Sequence, residues 1–112
     1  MSFEIITSDY FDTEAKALAK RYKSFKKDLI EFRKELEKAP LQGSEIAPNI
    51  RKIRMAIATK GRGKSGGARI ITYNALVTEQ EGKVYLLLIY DKADASSVKM
   101  SVVKQIVKEL IG

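Results

Sequence analysis

The sequence contains neither cysteine nor histidine. Without cysteine there is no disulfide, no thiolate nucleophile and no zinc–cysteine site. Without histidine there is no Ser-His-Asp triad, no Cys-His dyad and no imidazole metal ligand. Acid–base chemistry on this chain falls to Lys, Arg, Tyr, Asp or Glu. No apolar run approaches the roughly 20 residues of a membrane span, and the first residues carry no secretory pattern, so a cytoplasmic location is expected. What is present is 112 residues, 45% of them hydrophobic. That suffices for one domain over residues 1–112 with its own core, and is too apolar for disorder.

Acidic residues are missing from one stretch in particular. The net charge is +7, from 21 Lys and Arg against 14 Asp and Glu. Residues 1–50 hold nine of each sign and residues 70–112 hold five of each, so both are neutral. The whole excess lies in Arg51, Lys52, Arg54, Lys60, Arg62, Lys64 and Arg69, with no acid among them. A solubilising coat would be spread evenly. A concentrated one is the footprint of a polyanion-binding surface, most often for nucleic acid.

Phe3 to Thr7 reads as a strand. Asp9, Asp12 or Thr13 can cap a helix after it. Leu18, Tyr22, Phe25, Leu29, Phe32 and Leu36 recur at helical spacing and predict one long amphipathic helix, or a helical hairpin broken near Tyr22–Ser24. Pro40 ends it, and 43–48 reads as a loop. Ile50 to Ala58 alternates, with Ile53, Met55 and Ile57 on one face and Lys52, Arg54 and Ala56 on the other. Thr59 to Gly67 is a glycine-rich loop. Ala68–Thr78 and Val84–Tyr90 read as strands joined by a turn over 79–83. Ser96 or Ser97 can cap a last helix whose apolar residues include Val98, Val102, Ile106 and Leu110. The order βα(α)βββα predicts an α+β domain with a largely antiparallel sheet.

Gly63–Ser65 (GKS) invites a phosphate-loop reading, but that pattern needs glycine where Ala58 stands and a helix afterwards, where a strand follows. The glycines are better used to bring backbone amides and the loop cations Lys60, Arg62 and Lys64 close to a phosphate chain. Lys52 and Arg54 share a strand face, antiparallel pairing brings Arg69 near them, and Lys92 sits just past the last strand. Such a group suits phosphoryl chemistry on RNA. Arginine donates two parallel hydrogen bonds to phosphate, and a lysine crowded by cations can accept a proton. Residue types alone favour phosphate docking over catalysis.

The run Ile50–Tyr73 (IRKIRMAIATKGRGKSGGARIITY), followed by VYLLLIYDK and the closing helix, resembles the RelE/ParE superfamily, and most of all the HigB-type toxins of type II toxin–antitoxin systems. The resemblance covers most of the chain, and GKSGGARI is its most specific part. It implies a RelE-like fold and a ribosome-dependent mRNA endonuclease that works without metal or other cofactor. The implied partners are the ribosome, mRNA and a small antitoxin, often of helix-turn-helix type. It places the catalytic set on Lys52, Arg54, Arg69 and Lys92, the last where RelE itself has arginine. From their charge and place around the loop, Arg51, Lys60, Arg62 and Lys64 are expected to hold RNA. RelE places a catalytic tyrosine near the start of the last helix, where this sequence has Val98. Tyr90, Tyr73 or a lysine alone could take its part. Two other functions share these features: a non-catalytic nucleic-acid-binding module, and a ParE-like gyrase inhibitor.

Overall fold

The computed structural model describes residues 2–78 and 80–112. Along the chain run β1 (Ser2–Thr7), α1 (Asp9–Arg21), α2 (Phe25–Lys38), β2 (Ser44–Ala47), β3 (Ile50–Met55), a 3-10 turn (Ala58–Lys60), β4 (Ala68–Thr78), β5 (Glu81–Asp91) and α3 (Met100–Ile111). The five strands form one sheet in the order β1-β5-β4-β3-β2. Only the β1–β5 pair is parallel; the other three are antiparallel. The architecture is the α+β class expected from the sequence.

Strand alternation divides the core between the two faces of the sheet. Ile53, Met55, Ile57, Ile70, Val84, Leu86 and Ile89 meet Phe11, Leu18, Phe25, Phe32 and Leu36 of the first two helices. On the other face Ile50, Ile71 and Leu87 meet Val103 and Ile106 of α3. Each fully buried Leu, Ile or Phe contributes on the order of 1.5–3 kcal/mol. The first face is covered by two helices and the second by one, so part of the second is left free for other groups.

The helical stripe breaks at Tyr22–Ser24, as the hairpin reading expects. Tyr22 is extended (φ −125°, ψ 121°), and its hydroxyl bonds the Asp91 carboxylate. Ser24 Oγ turns to Asp28 at 2.6 Å and accepts from the Thr59 amide at 3.0 Å, so α2 is tied to the 3-10 turn.

Five local expectations are corrected. The cap of α1 is Ser8, whose Oγ accepts from Phe11 N at 2.9 Å and donates to Leu87 O at 2.7 Å; Asp9 and Asp12 lie in the first turn instead. The 43–48 stretch contains β2, a short edge strand turning back to β3 through Asn49, which adopts φ 64°. The strand starting at Ile50 ends at Met55, and its last expected residue, Ala58, opens the 3-10 turn. Helix α3 starts after Lys99 with no side-chain cap; upstream of it the Ser96 carbonyl accepts from Lys52 and Val98 packs against the core under α3. Of the turn expected over 79–83, residues 81–83 belong to β5, which begins at Glu81; Glu79 lies outside the described residues.

Candidate nucleic-acid interface

Sheet register assembles the predicted site. Arg54 pairs with Arg69, and Arg69 with Tyr90. Directly paired residues share a face, so the three side chains form a row across β3, β4 and β5. Lys52 lies two residues from Arg54 on the same face. It pairs with Ile71, itself opposite Leu88, and both belong to the core under α3. The row therefore lies at the end of that face, with Tyr90 at the border of this core and Arg54 and Arg69 beside it. Gly43, Ser44, Lys52, Arg54 and Arg69 line an open cleft of about 310 Å³ there. Its walls carry three cations and no acid.

Arg69 is the unusual member, at 7% exposure. Its Nη1 donates to Lys64 O at 3.1 Å and Ala68 O at 3.2 Å, and its Nη2 to Ser65 O at 2.9 Å. Three of its five N–H groups are thus bound, all to carbonyls. No acid among the described residues lies within ion-pair distance of it. Arg54 is exposed, and Lys52 Nζ donates to Ser96 O at 2.9 Å, tethering the segment between β5 and α3. Arg62 and Lys64 are exposed on the loop, and Lys92 is exposed beside it, its amide bonded to Gly67 O at 3.0 Å. None of these six forms an ion pair with another described residue.

Two expected contacts sit elsewhere. Arg51 shares the α1–α2 face with Ile53, by the two-residue period, and its Nη1 donates to Leu41 O at 3.2 Å and Gly43 O at 3.3 Å. Lys60 is turned beneath the sheet end into an ion pair with Asp91; their side chains are 10% and 0% exposed. That ammonium also lies 5.5 Å from the Tyr22 ring centroid. It is committed to the protein rather than free for a phosphate.

Asp91 is the residue that sequence reading missed. It is 1% exposed and accepts from Lys60 Nζ, Tyr22 Oη, Arg21 Nη1 at 3.0 Å and Ala93 N at 2.9 Å. Burial alone pushes its carboxyl up. The hydrogen bonds from Lys60, Tyr22, the Ala93 amide and Arg21 more than reverse this and hold it well below the usual carboxylate range. An acid closing the apolar run VYLLLIY was the available signal.

Both tyrosines pack against the core under α3, but only Tyr90 stands in the row with Arg69. Tyr90 lies across from Arg69, with its hydroxyl buried and lacking a hydrogen-bond partner among the described residues. Tyr73 packs against Tyr85, centroids 6.3 Å apart, in the core under α3. One loop glycine, Gly67, serves the packing of the protein's own chain. A Cβ on Gly67 would collide with the Met55 carbonyl oxygen, so this residue lets the start of β4 close against the end of β3.

The cationic zone has a border. Arg54 and Lys64 also line a cavity of about 100 Å³ whose other wall carries Asp28, Glu31 and Glu35 of α2. Carboxylates of α2 therefore border the cationic zone on this side. Among the described residues no helix is long and apolar enough to cross a membrane. The sequence matches no protein-family model.

Proposed function

We propose that this protein is a cytoplasmic toxin of the RelE/ParE superfamily, HigB-type, that cleaves mRNA on the ribosome and is held in check by a small antitoxin. The observation that carries this reading is Arg69: a buried guanidinium with no acid partner, paired in register with Arg54 and next to Lys52 in a cleft without carboxylates. Burying a charge without a counter-charge is costly, and an incoming phosphate would supply one. The two remaining N–H groups of Arg69 are a matching donor set.

In the reaction, the 2′-hydroxyl oxygen attacks the adjacent phosphorus and the 5′-oxygen leaves, giving a cyclic phosphate. Arg69 and Arg54 stabilise the charge on the pentacoordinate phosphorus. Proton transfer falls to Lys52, Lys92 or Tyr90, of which Tyr90 stands nearest to Arg69 in register. Arg62 and Lys64 hold the RNA chain.

The test is expression of the chain in a bacterium, with mRNA cleavage followed on programmed ribosomes. Growth arrest with cut mRNA is the expected result. Arrest with intact mRNA and altered DNA supercoiling would select the gyrase inhibitor. Ribosome or RNA binding without cleavage would select the non-catalytic module.

A further inference from the structure

The glycine-rich loop is fastened at both ends to one dipeptide. At its start, the Lys60 ammonium meets the Asp91 carboxylate under the sheet. At its end, the Gly67 carbonyl accepts from the Lys92 amide. Between these points the Lys64 and Ser65 carbonyls accept from the Arg69 guanidinium on the other side of the sheet. The loop thus straddles the sheet end. Its entry is also held by α2, where Ser24 Oγ accepts from the Thr59 amide and Asp28 from the Ala58 amide, both at 3.0 Å, and past that point the attitude of Arg69 depends on a loop anchored by Asp91.

We infer that Asp91 is a positioning residue for the cationic surface: through Lys60 it holds the loop that presents Arg62 and Lys64 and orients Arg69 toward a polyanion. The anchor is well made for this. Arg21 bonds both Asp91 and Asp94, at 3.0 and 2.9 Å, so the cluster of Arg21, Lys60, Asp91 and Asp94 is neutral. It fixes the loop without adding to or subtracting from the field that RNA meets. Its burial keeps salt from screening the Lys60–Asp91 pair, so the loop stays in place under the ionic conditions that weaken the surface contacts. The inference rests on the RNA-binding reading for its consequence, but the anchoring can be tested without it.

The sign of one substitution separates positioning from bulk charge. Asp91→Asn removes an acid and raises the net positive charge by one. If only the field mattered, RNA would bind more tightly. With a positioning role it binds more weakly, by about tenfold, the scale of having to re-order one or two long side chains on binding. The probe is a short, labelled single-stranded RNA, titrated against wild type, Asp91→Asn and Asp94→Asn. The last removes the same charge from the exposed end of the cluster and should match or slightly exceed wild type. Amide exchange is read in parallel: the 61–67 amides should exchange faster in Asp91→Asn while β4 and β5 keep their protection.

Should Asp91→Asn fail to fold, Lys60→Met and Lys60→Arg serve instead. Met should loosen the loop and weaken binding with an unchanged salt slope, because Lys60 touches no phosphate. Arg should restore both. Tighter or equal RNA binding by Asp91→Asn, unchanged loop exchange in either the Asp91→Asn or Lys60→Met variant, or a salt slope that falls by one contact in Lys60→Met would overturn the inference. Failure of the wild type to bind RNA at all would overturn the functional reading instead, and loop exchange would still decide the anchoring.

Discussion

Arg69 and Asp91 are buried at the same end of the sheet, on opposite faces, and their charges are met in different ways. Asp91 has two cations, a phenol and an amide around its carboxylate. Arg69 has only carbonyl oxygens. The compensated charge is complete within the protein, and its work is to hold chain segments together. The uncompensated one keeps a demand for an anion. The same contrast sorts the other cations: Lys60 belongs with Asp91, whereas Lys52, Arg54, Arg62, Lys64 and Lys92 have no acid partner among the described residues.

The largest stability effect belongs to the compensated side. Asp91→Asn should cost about 3–5 kcal/mol in chemical denaturation, the usual scale for stripping one partner from a buried pair. A loss under about 1 kcal/mol would put Asp91 among ordinary surface acids. The pH dependence sharpens the point. Since the folded carboxyl lies below its ordinary value of 3.8, the stabilisation it gives is whole above that value. It is lost as the pH falls from there toward the lower folded value. The gap between wild-type and Asp91→Asn melting temperatures should therefore be flat from neutral pH to about pH 5 and narrow in more acid solution. A gap that stays constant into strong acid would mean that ionisation of Asp91 is not what stabilises the fold.

A smaller effect is expected where the loop closes. Gly67→Ala forces a methyl group against the Met55 carbonyl and should cost about 1–3 kcal/mol, as overpacking does. A neutral result would mean that the chain there is free to move apart. The least effect belongs to the uncompensated side. Arg62 and Lys64 changed together to Ala should stay within about 0.5 kcal/mol of wild type while flattening the salt dependence of RNA binding. A large drop in melting temperature would show these two to be structural, as Lys60 is.

Periodicity revealed much of this arrangement. The helical stripe placed Leu18, Phe25, Phe32 and Leu36 in the core, and strand alternation separated Ile53 and Met55 from Lys52 and Arg54. The same alternation puts Arg51 on the Ile53 face, so its removal from the site was legible as well. The role of Lys60 was not. Its partner stands 31 residues away, and nothing in TKGRGKSGG distinguishes an ammonium aimed at solvent from one turned beneath the sheet. Strand β2 was hidden for another reason. Ser44–Ala47 buries almost nothing and is held by edge pairing with β3, which leaves no hydrophobic pattern to read. Ser8 escaped as a cap because neighbouring Asp residues are equally good caps by type, and the bond that fixes the Ser8 hydroxyl in place, to Leu87 O, comes from a strand 79 residues away.

The central claim is that Arg69, the uncompensated charge, meets the phosphate that reacts. The most direct test compares mRNA cleavage on programmed ribosomes with ribosome affinity for wild type, Arg69→Ala and Arg69→Lys. If the guanidinium stabilises charge that appears only in the transition state, Ala should lower cleavage on the order of 100- to 1000-fold with far less change in affinity. Lys should restore part of the rate, because it lacks the planar pair of donors. Cleavage and affinity falling by the same factor in Arg69→Ala would contradict the claim and leave Arg69 as a docking residue.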